Sequence, residues 1–183
     1  MITIVTGLPR SGTSLMMQML EAAGIPILTD SVRAADESNP RGYYEFEKVK
    51  SLQKDQSWIQ EADGKAVKII VQLLPFLPGN RDYRFILMNR PIAEVIQSQH
   101  KMLERLGRTG ASIPLEGIFA QQLSRAEQWL SGQSEVFEID FHALLKEPQE
   151  QASRIASFLK MPESTIAMSQ VIDPTLWRER TVP

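Results

Sequence analysis

The fold is decided by the first residues of the chain, Met1-Ile-Thr-Ile-Val-Thr6 followed by Gly7-Leu-Pro-Arg-Ser-Gly-Thr-Ser14. The apolar run predicts a short buried strand, the glycine-bracketed turn predicts a loop, and a helix is expected to begin at about Thr13. A turn of this kind directs successive backbone N–H groups and the positive end of a helix dipole at one point. The segment therefore predicts a binding site for a phosphate or sulfate group.

We call residues 7–14 the glycine loop. Its two glycines, Gly7 and Gly12, are separated by four residues, which is the spacing of a phosphate-binding P-loop. Arg10 places a permanent cation in the loop, and a guanidinium suits bidentate contact with phosphate or sulfate oxygens. Hydroxyl donors are added by Ser11, Thr13 and Ser14. The position after the second glycine holds threonine, where a nucleotide triphosphatase has lysine. The alternative is a glycine turn that only joins the strand to the helix.

Composition describes an ordinary globular protein. The 183 residues are 43% hydrophobic and 23% charged, which predicts one domain over residues 1–183. A net charge of −2 gives no general reason to expect a nucleic-acid partner, and the absence of cysteine excludes disulfides. The two histidines are too far apart in sequence for a zinc motif, so no metal is expected. Without a signal peptide or an apolar run of about 18 residues, no membrane span and a cytoplasmic location are expected.

Strand and helix patterns alternate along the chain. Strands are expected over residues 1–6, 66–71, 83–88 and 135–139, with a short strand or extended edge at 25–28. Helices are expected over residues 13–23, 45–61, 91–105, 115–130, 148–159 and 163–171. This alternation predicts a P-loop NTPase-like three-layer α/β/α sandwich with a mainly parallel sheet. Ligands in such folds bind at the carboxyl ends of the strands.

A second set of polar residues follows the strand predicted at 83–88. Arg90 lies just past its end, at the same predicted sheet edge as the glycine loop. Ser98 lies eight residues further on, about two turns into the next helix. The two side chains reach one anion only if that helix packs in the required orientation. The alternative interpretation of Arg90 is a solvated loop charge.

Together, Pro9-Arg-Ser-Gly-Thr-Ser14 and the pair Arg90 and Ser98 resemble the sulfotransferase family. Its members hold the 5′ end of 3′-phosphoadenosine 5′-phosphosulfate (PAPS) with a loop Pro-Lys/Arg-Ser-Gly-Thr-Thr/Ser after the first strand. An arginine after a later strand, with a serine at the same spacing as here, holds the 3′-phosphate. The arginine form of the loop looks like that of the tyrosylprotein and many bacterial members. Further similarity appears in Asn39-Pro-Arg-Gly-Tyr-Tyr44 and Phe141-His-Ala-Leu-Leu-Lys-Glu-Pro148.

The resemblance implies a sulfotransferase that moves the sulfuryl group of PAPS to a hydroxyl or amine on a small-molecule or polymer acceptor. The leaving phosphate of this donor is already esterified, so a lysine and a Mg²⁺ ion are not needed, which accounts for Thr13. Arg10 is expected to stabilise charge on the leaving phosphate. The implied donor-binding residues are Pro9, Arg10, Ser11, Gly12, Thr13, Ser14, Arg90 and Ser98.

A carboxylate or imidazole is also needed to take the proton of the acceptor. The tyrosylprotein enzymes are similar in using an acid after the first helix, and here Asp30 is the first choice and Glu45 the second. Asp36 and Glu37 lie in the same region. His100 follows Ser98 and is expected to be a partly exposed helical residue.

The chain departs from the family in Asn89-Arg90-Pro91, which lacks the residue that often separates arginine from proline. Near the end of the chain, Arg178 or Arg180 is a candidate for the 3′-phosphate and Trp177 for the purine. Lys65 and Lys68 flank a predicted strand and are expected to be surface lysines; the alternative is that they face the site edge.

Two other functions stay open. The short chain and the unsettled base are compatible with a nucleotide-binding module that holds PAPS or its product without catalysis. The second open function is a small-molecule kinase on the same fold. The missing lysine argues against it, because that residue normally reaches the β- and γ-phosphates.

Overall fold

The computed structural model describes residues 1–30, 32–36, 39–105, 107 and 114–176. Four strands form one sheet in the order β2-β1-β3-β4, and each neighbouring pair is parallel. The strands are β1 (Ile2–Gly7), β2 (Ala66–Lys68), β3 (Tyr83–Asn89) and β4 (Val136–Asp140). Because all four run the same way, their carboxyl ends meet at one edge of the sheet.

Six α-helices are present in the described residues: α1 (Thr13–Ala22), α2 (Ile92–Arg105), α3 (Leu115–Leu130), α4 (Phe141–Lys146), α5 (Pro148–Phe158) and α6 (Thr165–Gln170). Short 3₁₀ segments cover Glu47–Ser51, Ser57–Ala62, Val71–Phe76, Pro162–Ser164 and Pro174–Leu176. α5 begins with Pro148, whose missing N–H costs nothing in the first turn. Among these helices none is long and apolar enough to cross a membrane.

The two faces of the sheet carry separate hydrophobic clusters. Phe85 and Leu87 of β3 belong to the cluster that includes Val95 of α2 and the core residues of α3. Ile86 and Met88 belong to the cluster formed with α1, α4, α5 and α6. Successive side chains of a strand point to opposite faces, so both faces of this strand are covered. The predicted three-layer α/β/α arrangement with a parallel sheet is confirmed.

The segment between α1 and β3 differs most from the prediction. The helix predicted over residues 45–61 is wrong, because two 3₁₀ segments form there instead. Between them the carboxylate of Asp55 accepts the Ser57 amide at 2.9 Å, a local turn that competes with helix continuation. Residues 25–28 make a single parallel bridge, Ile27 to Ala66, so they form an extended edge. The strand predicted over residues 66–71 is shorter than expected. β2 ends at Lys68, and a 3₁₀ segment begins at Val71.

Gly12, where the glycine loop enters α1, fixes how closely the loop packs on the sheet. Its φ is 102°, and an added Cβ would lie 2.6 Å from Phe141 Cδ2 and 3.1 Å from Met88 Cε. A side chain here would therefore be strained by the backbone and would also collide with the core.

We expect Gly12→Ala to lower the free energy of unfolding by about 1–3 kcal/mol more than Gly42→Ala, measured by urea denaturation. Gly42 is the matched control: its φ is 90°, but no described atom lies within 4 Å of an added Cβ. Equal losses in the two variants would contradict the steric explanation.

Candidate functional site

A cavity of about 740 Å³ opens at the carboxyl edge of the sheet. The glycine loop follows β1, Lys68 ends β2, Arg90 follows β3 and Phe141 follows β4, and all of these elements contribute to its lining. From the loop, the lining residues include Pro9, Arg10, Gly12, Thr13 and Ser14. The parallel sheet thus brings together residues that are far apart in sequence, as expected for an α/β fold.

The glycine loop has a turned backbone. Arg10 has φ 70° and Gly12 has φ 102°, and the Ser11 amide donates to the Leu8 carbonyl at 3.2 Å. Left-handed residues in such turns direct neighbouring N–H groups to one side and form anion-binding concavities. The first turn of α1 also faces the cavity through Thr13 and Ser14, which adds the positive end of the helix dipole. Ser11 itself lies beneath the loop and is 1% exposed.

The two motifs identified in the sequence are in direct contact. Arg10 Nε donates to Ser98 Oγ at 3.1 Å, and Arg90 Nη1 donates to the backbone carbonyl of Arg10 at 3.1 Å. Burial lowers the pKa of Arg10 from its ordinary value, and the nearby hydroxyl of Tyr43 opposes that shift. Arg10 thus lies between Ser98 of α2 and Arg90, while Ser98 is 7% exposed and is not among the described residues that line the cavity.

Arg90 is held by groups that the sequence did not reveal. Its Nε donates to Glu94 Oε2 at 3.0 Å, and His142 Nε2 lies 3.0 Å from the same oxygen. Glu94 is 0% exposed, and the Arg90 guanidinium lies 4.6 Å from the centre of the Phe141 ring. A buried carboxylate beside a cation fixes the position of that cation. The available signal was the four-residue spacing of Arg90 and Glu94, because Arg90 lies two residues before α2 and Glu94 lies in the first turn of that helix.

Glu45 lies on the cavity wall between two cations. Its Oε1 is 2.7 Å from Arg33 Nη1 and 3.7 Å from Lys68 Nζ. The Arg33 guanidinium in turn lies 3.4 Å from the centre of the Tyr43 ring. Ion pairing and cation–π contact thus hold the Glu45 carboxylate in place.

Lys68 is a site residue that the sequence analysis placed at the surface, and that prediction is wrong. Its side chain is 9% exposed, and its Nζ donates to the Tyr43 carbonyl and lies 3.5 Å from Ser14 Oγ. Burial lowers the pKa of Lys68 to about 8; Glu45 opposes the shift, while Arg33 and Arg10 add to it. Its position at the end of β2, beside the glycine loop, was the sequence signal.

The structure places Asp30 differently from Glu45. Its Oδ1 accepts the Val32 amide at 3.1 Å and its Oδ2 accepts the Glu47 amide at 2.6 Å, so the carboxylate fastens a turn to the first 3₁₀ segment. Asp30 is not among the described residues that line the cavity.

The other candidate residues lie elsewhere. Asp36 accepts the Tyr43 hydroxyl at 2.8 Å, and His100 is exposed on α2. The candidates outside the described residues are Glu37, Trp177, Arg178 and Arg180.

The cavity is strongly basic although the whole chain has a net charge of −2. Among the described lining residues, five are basic, namely Arg10, Arg33, Lys50, Lys68 and Arg90, and two are acidic, namely Glu45 and Asp173. Basic clefts concentrate anions. In the described part of the chain no group of three or more His, Asp or Glu side chains could hold a metal ion.

We expect Arg10→Gly to be more stable than Arg10→Ala by about 1–2 kcal/mol in urea denaturation. Both substitutions remove the guanidinium, but glycine adopts the left-handed φ of this position without the strain that any other residue pays. Equal stability of the two variants would contradict the explanation that the backbone at Arg10 is strained.

The sequence matches no protein-family model and no curated protein. Solved structures match it in fold. The sulfotransferase domain from the curacin biosynthetic pathway aligns with a TM-score of 0.55 and 17% identity, over 96% of this chain and 88% of that one. The sulfotransferase domain from the Synechococcus PCC 7002 olefin synthase aligns with a TM-score of 0.57 and 15% identity, over 100% of this chain and 88% of that one.

A sugar kinase from Janibacter sp. HTCC2649 covers 88% of this chain and 96% of its own at 16% identity, but its TM-score of 0.47 is too low to support a conclusion. At these identities the comparisons establish the fold. The chain has a sulfotransferase-like α/β fold, and the resemblance drawn from the sequence motifs is confirmed at that level.

Proposed function

We propose that this protein is a sulfotransferase that moves the sulfuryl group of PAPS to a hydroxyl or amine acceptor. The proposal is carried by the contact between the two anion motifs, in which Arg10 bonds to Ser98 and Arg90 bonds to the Arg10 carbonyl. PAPS carries phosphate groups at two ends of one ribose, so it needs two anion sites side by side. The sulfotransferase-like fold and the basic cavity support the same donor.

In the proposed complex, residues Pro9 to Ser14 of the glycine loop hold the 5′-phosphosulfate, and Arg90 with Ser98 holds the 3′-phosphate. Backbone amides and a helix N-terminus bind such groups without a metal. Lys68 adds a second cation beside Ser14, on the side of the loop that faces Glu45.

The transfer is an in-line displacement at sulfur. The acceptor oxygen forms a bond to sulfur while its proton passes to the Glu45 carboxylate, one of the two acids among the described residues that line the cavity. The bond from sulfur to the 5′-phosphate oxygen breaks, and its electron pair stays on the phosphate. Arg10 and Lys68 stabilise that developing charge. The products are the sulfated acceptor and adenosine 3′,5′-bisphosphate (PAP).

We expect PAP to bind the protein in isothermal titration calorimetry, and Arg10→Ala and Arg90→Ala each to weaken it about 10- to 100-fold through loss of a charge-assisted hydrogen bond. Arg81→Ala is the control, since Arg81 is a surface residue paired with Asp63. Glu45→Gln should lower kcat with labelled donor about 10²- to 10⁴-fold, while the variant still binds PAP. Urea denaturation of each variant verifies that it is folded.

The outcomes separate the competing functions. Failure of PAP to bind, or unchanged binding in both arginine variants, would exclude the sulfotransferase. Tight PAP binding without transfer to any acceptor would indicate the nucleotide-binding module, and Mg²⁺-dependent binding of ATP in preference to PAP would indicate the kinase.

Donor affinity should depend on pH through Lys68. Its pKa is lowered to about 8, so in the free protein its charge is lost as the pH rises through that value. Because the anionic donor favours charged Lys68, PAP affinity should be highest below pH 8 and fall up to about tenfold per pH unit above it. The phosphates of PAP are already ionised above pH 7, since their second pKa is about 6.

Calorimetry from pH 7 to 9.5 measures this dependence, with Lys68→Met as the comparison. The variant should bind PAP more weakly at pH 7 and lose most of the slope. A slope that persists in Lys68→Met would assign the titration to another group.

A further inference from the structure

Part of the cavity lining is apolar and is not explained by the donor motifs. We call it the apolar wall, and it consists of Phe46, Val49, Ile70, Leu73, Met102 and Leu103. Ile70 is 39% exposed although it is a large aliphatic residue. Apolar surface left open inside a cavity is typical of a contact surface for an apolar ligand.

The apolar wall adjoins the candidate base. Phe46 directly follows Glu45 in the chain, and both line the cavity. Arg33, which pairs with Glu45, reaches across to α2, where its Nη2 lies 3.6 Å from Met102 Sδ. A ligand that presents a hydroxyl to Glu45 therefore has its carbon skeleton next to this wall.

The charged groups beside the apolar wall are already paired. Arg33 lies 2.7 Å from Glu45, and Lys50 lies 2.6 Å from Glu47. The side chains of the apolar wall carry no charge that could pair with a charged acceptor, and an uncharged acceptor leaves both ion pairs intact. The wall therefore favours an acceptor without a charge near its hydroxyl.

We propose that the acceptor is an uncharged apolar alcohol whose carbon skeleton packs on the apolar wall and whose hydroxyl faces Glu45. The transfer step rests on the proposed sulfotransferase function, while binding of the alcohol can be measured without transfer. The 740 Å³ of the cavity lies in the range of about 300–1,000 Å³ typical of small-molecule pockets. A hydrophilic acceptor such as a sugar gains nothing from this surface.

The test measures binding of 1-butanol, 1-hexanol and 1-octanol to the full chain by saturation-transfer NMR titration, with and without PAP. The dissociation constant should fall up to about fourfold for each added methylene, as expected for burial of apolar surface. Glucose and glycerol should not bind. With labelled PAPS, kcat/KM should follow the same order of alcohols.

Ile70→Asp places a charge on the apolar wall and should weaken 1-octanol binding at least tenfold, while PAP binding stays unchanged. Ile118→Asp is the matched control, because Ile118 has the same 39% exposure but lies on α3, outside the described lining of the cavity. Leu103→Gln provides a second change in the wall, should Ile70→Asp prove unfolded in urea denaturation.

The acceptor proposal is overturned if 1-octanol does not bind, if glucose binds as well as 1-octanol, or if the wall variants bind 1-octanol like the control. Loss of PAP binding has a different meaning, since it would overturn the donor assignment and leave the alcohol measurement valid.

Discussion

The hydrogen bond from Arg10 to Ser98 is the contact on which the site depends. It joins the loop after β1 to helix α2, and the return bond from Arg90 to the Arg10 carbonyl ties the loop to the end of β3. Arg10 accepts a left-handed backbone conformation to make this contact. Residues keep such strained conformations where the surrounding structure fixes them, commonly at functional sites.

Burying several cations in one cavity requires compensation, and the structure supplies it with carboxylates and ring faces. Glu94 holds Arg90 from behind, and Phe141 lies under the same guanidinium. The Glu45 carboxylate forms ion pairs with both Arg33 and Lys68. These partners keep the cations in fixed positions, which would reduce the ordering cost of binding the proposed donor.

The sequence predicted most of the sheet because its strands are apolar runs bounded by turn residues. The predicted succession of strand, loop and helix around residues 7–14 was also correct. It failed over residues 45–61, where polar residues without a clear period form 3₁₀ segments. α4 is six residues long, too short for a helical period to be recognised. Lys68 was misjudged because a lysine beside a strand is indistinguishable in sequence from a solvated one.

The sequence by itself determined the glycine loop and the spacing of Arg90 and Ser98, because a turn and a helical offset are local properties of the chain. Only the tertiary structure decided which groups surround them. Lys68 and Phe141 meet because parallel strands end at one edge of the sheet, and the segment between α1 and β2 brings Glu45 to the same cavity. The pKa of Lys68 and the apolar wall beside Glu45 follow from burial, which depends on packing between elements.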